Sequence, residues 1–125
     1  MPSTSRERAS EGGDYGPVVD RSERLGDYTV SFTLFQEDIH AGPLMRGLPD
    51  DRCQCPHWGY VLKGRVTIRY ADGEEELVAG DAFYLPPGHV PVSHEPGSEA
   101  VMFSPTEDLK LTEEVMARNM EAMRG

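Results

Sequence analysis

The spacing of turn residues constrains the fold more than any other feature of this sequence. From Tyr28 to Phe103, short runs with alternating apolar and polar residues are each ended by a turn that contains glycine or proline. The run Arg65–Tyr70 is the clearest case, because it leads into Ala71-Asp-Gly73, a strong hairpin-turn signal. About seven or eight short strands at such intervals are typical of an antiparallel sandwich or barrel.

The two ends of the chain differ from this central region. Residues 1–16 carry hardly any apolar side chains, and we predict that they form a disordered arm. We place the barrel at residues 17–106 and a helical segment at 107–125, with Thr112 able to start the helix. One face of that helix is apolar and is formed by Val115, Met116, Met120 and Met123. We predict that this face packs on the outer face of the barrel or in a dimer contact.

Charge and composition exclude several classes of function. The 125 residues suffice for one domain, and 22 acidic against 12 basic residues give a formal net charge of −10. Such a surface repels phosphate backbones and anionic membranes, so we expect neither nucleic acid nor a membrane as a partner. No apolar stretch approaches the ~20 residues of a membrane span, and the N-terminus lacks the apolar middle of a signal peptide. These features predict a cytoplasmic location.

The segment Cys53-Gln-Cys-Pro-His57 concentrates reactive side chains. It holds both cysteines of the chain and one of its 4 histidines. Thiolates and imidazoles bind borderline-soft metals such as zinc, iron or nickel, and in an extended chain the three side chains would share one face. Two alternatives remain open: cysteines that simply line a dry pocket, or a metal-free thiolate–imidazolium pair. A disulfide between such near neighbours would be strained.

The region from Cys53 to Ser104 resembles a small single-domain cupin, which has a double-stranded β-helix or jelly-roll fold. The second cupin motif is glycine, five residues, proline, any residue, glycine, and Gly80-Asp-Ala-Phe-Tyr-Leu-Pro86-Pro-Gly88 matches it in full. The first motif ends at Gly64, after the apolar run from Trp58 to Leu62. The resemblance therefore implies an all-β cupin barrel.

The metal ligands that the resemblance implies are replaced here by other residue types. The glutamate position of the first motif holds His57, and its two histidine positions fall near Asp51 and Cys53. The histidine position of the second motif is Pro91, but His89 lies two residues earlier and would share its face. We therefore predict a rebuilt site for a divalent transition metal, with Cys53, His57, His89 and, less centrally, Cys55 as ligands.

Other residues are assigned by position. We predict that the pocket beside this site is lined by Asp51, Tyr60, Tyr84 and Phe103. His40 and His94 lie in or beside turn sequences, and we expect both at the surface.

Two classes of function fit these residues. The first is a metal-dependent enzyme acting on a small organic molecule, of the oxygenase, isomerase or cyclase class. The second is a non-catalytic cupin that binds or senses a small molecule without metal. The resemblance also implies a homodimer, because small cupins often pair through their sheets.

Overall fold

The computed structural model describes residues 3–124 and consists mainly of antiparallel strands. The strands are β1 Glu11–Asp14, β2 Val18–Leu25, β3 Tyr28–Phe35, β4 His57–Lys63, β5 Arg65–Tyr70, β6 Gly73–Val78, β7 Ala82–Leu85, β8 Val90–His94 and β9 Ser98–Pro105. One helix, α1, spans Thr106–Arg124, and two 3-10 turns at Gly42–Met45 and Pro49–Asp51 interrupt the loop after β3. The region from Tyr28 to Phe103, where about seven or eight strands were predicted, contains the seven strands β3 to β9.

Two sheets make up the barrel. One has the order β1-β2-β3-β9-β4-β7 and the other the order β6-β5-β8. A buried cluster joins them, with contributions from Val61 and Leu85 on the first sheet and from Val66, Ile68 and Leu77 on the second. Apolar residues that alternate along both sheets thus face each other, which is the arrangement of a jelly roll.

The prediction of a disordered arm over residues 1–16 is wrong for residues 11–14. These residues form β1, which pairs with β2 from Glu11↔Ser22 to Asp14↔Val19. Backbone hydrogen bonds hold this edge strand, so its lack of apolar side chains does not prevent order. Gly12 allows the close approach: its φ is +105°, and a Cβ there would lie 2.0 Å from the carbonyl oxygen of Asp20. Residues 1 and 2 of the predicted arm lie outside the described residues.

Helix α1 begins at Thr106, one residue before the predicted helical segment 107–125 but six residues before Thr112, the predicted first residue of the helix. The Thr106 N–H donates to the carbonyl oxygen of Asp27 (3.0 Å), and its hydroxyl lies 2.8 Å from that of Thr29. These contacts fix the first turn directly at the end of β9. Acidic residues in that turn, Glu107 and Asp108, also favour a helix N-terminus.

The apolar stripe of α1 faces a cavity rather than the outside of the barrel. Val115 is buried in a cluster with the loop after β3, while Met116 and Met120 line the cavity. Met123, the last residue of the predicted stripe, is 64% exposed. Among the described residues, no helix combines the length and apolarity needed to cross a membrane.

Candidate functional site

A cavity of about 460 Å³ lies between the inner surface of the six-stranded sheet, the loop after β3 and helix α1. This volume falls in the range of small-molecule sites. Most of its wall is apolar, including Phe35, Ile39, Leu44, Met45, Met102, Leu109, Met116 and Met120. Polar side chains enter the wall at a few positions, and the densest group of them is Cys53, His57 and His89.

Cys53, His57 and His89 form a compact buried cluster. Each offers one ligand atom, and these atoms all lie within 4.8 Å of one another. His57 is the first residue of β4, and Cys53 is tied to the loop before β8 by a bond from its N–H to the carbonyl oxygen of His89 (3.0 Å). Both imidazoles line the cavity, as the predicted ligand set requires, and their ring centroids are 4.9 Å apart.

The ring nitrogens that face away from the cluster are already hydrogen-bonded. His89 Nδ1 donates to the carbonyl oxygen of Pro86 at 2.7 Å, which leaves the lone pair of its Nε2 free. His57 Nδ1 lies 2.6 Å from the hydroxyl of Ser104, and its Nε2 lies 3.6 Å from Cys53 Sγ. Such outer partners orient imidazoles that ligate metals.

Burial sets the protonation of the cluster. Desolvation, with a smaller contribution from the charge of His89, lowers the pKa of His57 to about 3. Desolvation also lowers the pKa of His89 and raises the pKa of the Cys53 thiol. Near neutral pH the cluster therefore holds two neutral imidazoles and a protonated thiol. Since both shifts disfavour charge, they weigh against a metal-free thiolate–imidazolium pair.

Comparisons with known proteins agree on the fold. A family model described as the AraC-like ligand binding domain matches residues 56–103. A Rhizobium leguminosarum protein of unknown function has a structure that matches with a TM-score of 0.60 and 20% identity, over 83% of this chain and 95% of the other. An RmlC-like cupin from Shewanella frigidimarina matches with a TM-score of 0.56 and 18% identity, over 82% and 88%. The chain has the fold of a small cupin.

Another structure points the same way. KdgF from a Halomonas species matches with a TM-score of 0.52 and 22% identity, over 72% of this chain and 82% of the other. A comparison with curated protein sequences finds no match. These similarities support the cupin fold, and the site must be interpreted from its own residues.

Cys55 is not one of the three residues of the cluster. Its thiol is fully buried and donates to the carbonyl oxygen of Pro56 at 3.4 Å, and desolvation is the main cause that raises its pKa to about 12. The expectation that Cys53, Cys55 and His57 share one extended face is wrong. Cys53 makes only an isolated bridge and Cys55 lies in a bend, so simple alternation does not apply before His57.

The four predicted pocket residues do not line the cavity. Tyr60, Tyr84 and Phe103 are 43%, 49% and 42% exposed on the outer side of the six-stranded sheet. Their neighbours point inward instead: His57 on β4, Leu85 on β7, and Met102 and Ser104 on β9 line the cavity. Side chains alternate across a strand, so these tyrosines and the phenylalanine must point outward. Asp51 is exposed in the second 3-10 turn, where it accepts a bond from the Gly47 N–H (3.1 Å).

His94 is a cavity residue that the sequence did not reveal. It was expected at the surface but is 3% exposed, stacks on Phe35 with ring centroids 3.9 Å apart, and donates from Nδ1 to the carbonyl oxygen of Ile39 (2.9 Å). In the pairing of β5 with β8, the register shifts between the pairs Ile68↔Pro91 and Thr67↔Ser93. This bulge brings His94 to the face that His89 and Pro91 occupy. His40, by contrast, is exposed as expected.

Proposed function

We propose that this cupin binds a small organic molecule in its cavity, beside a divalent transition metal held by Cys53, His57 and His89. One observation carries the proposal: three buried donor atoms converge at the cavity wall, and each imidazole already has a partner for its Nδ1. Two imidazoles and a thiol that meet at a cavity wall, with both rings oriented by outer partners, have the ligand types and the arrangement of a metal site.

The spacing of the donors suits a tetrahedral metal. With Zn–S and Zn–N bonds of about 2.3 and 2.0–2.1 Å, sulfur and nitrogen in a tetrahedral site lie about 3.6 Å apart. Cys53 Sγ and His57 Nε2 are 3.6 Å apart. One sulfur and two nitrogens suit zinc first, and iron or nickel as well.

Each residue of the site then has a definite role. Cys53 would lose its proton on binding, while His57 and His89 bind as they stand, since burial keeps both neutral. The Ser104 hydroxyl and the Pro86 carbonyl hold the two rings in place. Three protein ligands leave a position open toward the cavity, as in catalytic zinc sites, and the metal would supply Lewis-acid or redox chemistry there. We infer an enzyme on a small molecule, of the oxygenase, isomerase or cyclase class.

A metal-free binding or sensing cupin is the second candidate. It is supported by the match to a ligand-binding domain and by the hydrogen-bond neighbours of Cys53: its Sγ lies 3.6 Å from the Thr112 hydroxyl and 3.8 Å from the Cys55 carbonyl oxygen. In that case the cluster would simply be a polar part of the cavity wall.

Metal content separates the two candidates. Protein purified without an affinity tag is analysed for metals and then titrated with zinc after treatment with a chelator. We expect one metal per chain and, for Cys53→Ser, a loss of affinity of more than about 100-fold, beyond the effect of removing an outer partner. Cys55→Ser is the matched control and should bind as the unaltered protein does. If the protein binds no metal, or if Cys53→Ser and Cys55→Ser bind zinc with equal affinity, the metal site is refuted. The metal-free binding cupin is then the better candidate.

Three expectations from the sequence remain predictions. They are a cytoplasmic location, the absence of nucleic-acid and membrane partners, and a homodimer. The exposed aromatic face of the six-stranded sheet, defined by Trp58, Tyr60, Tyr84 and Phe103, is the surface that we propose a second copy covers. Trp58 lies at its centre, opposite Tyr84 on β7 and Phe103 on β9.

A further inference from the structure

Two carboxylates lie on the cavity wall, apart from the metal cluster. Asp20 is on β2, where it accepts a bond from the Thr33 hydroxyl (3.3 Å), and Glu113 is on α1. A third, Glu121, lies further along the helix. No lysine or arginine is among the described residues that line this cavity, and within residues 3–124 neither Asp20 nor Glu113 forms an ion pair.

Neither carboxylate has a cationic partner among the described residues; Asp20 is partly buried, whereas Glu113 is exposed. Desolvation raises the pKa of Asp20. It also raises the pKa of Glu113, with a smaller contribution from the charge of Asp20. Both groups would be stabilised in their charged form by a cation placed between strand and helix.

An unpartnered histidine atom provides an independent sign of a ligand. His94 is 3% exposed, and its Nε2 is buried without a hydrogen-bond partner among the described residues. Because its Nδ1 donates to the Ile39 carbonyl, Nε2 is an acceptor, and a ligand N–H or O–H on the same cavity wall would satisfy it. Around these polar groups the wall is formed by side chains such as Phe35, Met102 and Met116.

We infer that the cavity takes a small organic cation: an ammonium group bound by Asp20 and Glu113, and an apolar body packed on the aromatic and methionine side chains. The inference rests on the part of the proposed function that makes the cavity a small-molecule site, and it does not depend on the metal. An anionic ligand would instead require arginine or lysine in the wall.

Three probes of similar size and different charge test the inference. Phenethylamine, phenethyl alcohol and hydrocinnamate are compared by saturation-transfer NMR and calorimetry, on the whole chain. We expect phenethylamine to bind at least about tenfold more tightly than the other two, because a charge-assisted hydrogen bond is roughly twice as strong as a neutral one. Preference for the alcohol or the carboxylate would overturn the inference.

Matched variants locate the effect. Asp20→Asn with Glu113→Gln should remove the preference, so that phenethylamine no longer binds more tightly than phenethyl alcohol. Glu114→Gln changes the same charge at an exposed position of α1 outside the cavity wall and should keep the preference. If the double variant keeps it, the carboxylates do not hold the ligand, and the inference is wrong. Zinc titration of the same samples keeps the two proposals apart: intact zinc binding with no amine preference refutes the cation alone.

Discussion

Ser104 offers the sharpest test of the metal site, because it touches the cluster without being a ligand. Its hydroxyl is the partner of His57 Nδ1 at 2.6 Å, and Ser104 is 2% exposed. Ser104→Ala removes this partner and frees the ring to rotate. Loss of an outer partner typically weakens metal binding about 10–100-fold.

The magnitude follows from linkage between binding and folding. At free zinc of 100 times the Kd, binding stabilises the fold by about 2.7 kcal/mol. For a chain of 125 residues, 1 kcal/mol corresponds to about 4 °C in Tm. Zinc should therefore raise the Tm of the unaltered protein by about 10 °C, and that of Ser104→Ala, at the same free zinc, by only about 2–5 °C.

The assay is calorimetric unfolding with and without zinc at fixed free metal. Only the change in Tm caused by zinc is compared. The variant without metal is already less stable, because its unpaired His57 nitrogen costs about 1–3 kcal/mol in free energy of unfolding. Ser31→Ala is the control, because Ser31 lines the same cavity and none of the described hydrogen bonds joins its side chain to the cluster. Equal zinc shifts in Ser104→Ala and the unaltered protein would refute the orienting role and weaken the metal assignment.

Three further predictions concern stability and assembly. Burial lowers the pKa of His94 below its ordinary 6.5, so the neutral ring contributes fully to the free energy of unfolding above pH 6.5. Below that pH the contribution decreases, by at most about 1.4 kcal/mol per pH unit. In urea titrations, the stability of His94→Gln should decrease less steeply as the pH falls, and an unchanged slope would contradict the prediction. Gly64→Ala should destabilise more than Gly73→Ala: both need positive φ (+81° and +147°), but only at Gly64 would a Cβ meet another side chain, 2.2 Å from a serine oxygen. Trp58→Lys should sediment at half the mass of the dimer expected for the unaltered protein, and equal masses would refute the proposed face.

The fold could be predicted because its decisive signals are local. Gly64, Gly80 and Gly88 all take positive φ (+81°, +98° and +97°), a conformation that favours glycine, and they end the strands where the cupin motifs place them. Turns at these points fix the strand lengths, and alternation within each strand then supplies the buried cluster between the sheets. The start of α1 was missed because the contacts that set it, from Thr106 to the β2–β3 turn, are distant in sequence.

The candidate site could be predicted only where the backbone is regular. His57 is the first residue of β4 and His89 immediately precedes β8. The positions of both histidines in the cupin motifs therefore predicted that their side chains point into the barrel. Cys55 was misplaced because the bend before β4 breaks alternation, and His94 because a bulge in β8 changes the face. Asp20 went unnoticed because the inward side of β2 depends on its pairing with β3, which no local pattern specifies.

X-ray absorption of the zinc-loaded protein tests the central claim most directly. The account predicts one sulfur at about 2.3 Å and two imidazole nitrogens at about 2.0–2.1 Å, with a light atom completing the shell. The sulfur should vanish in Cys53→Ser and persist in Cys55→Ser. A zinc shell of oxygen and nitrogen alone in the unaltered protein, or a sulfur that persists in Cys53→Ser, would contradict a metal centre at Cys53, His57 and His89.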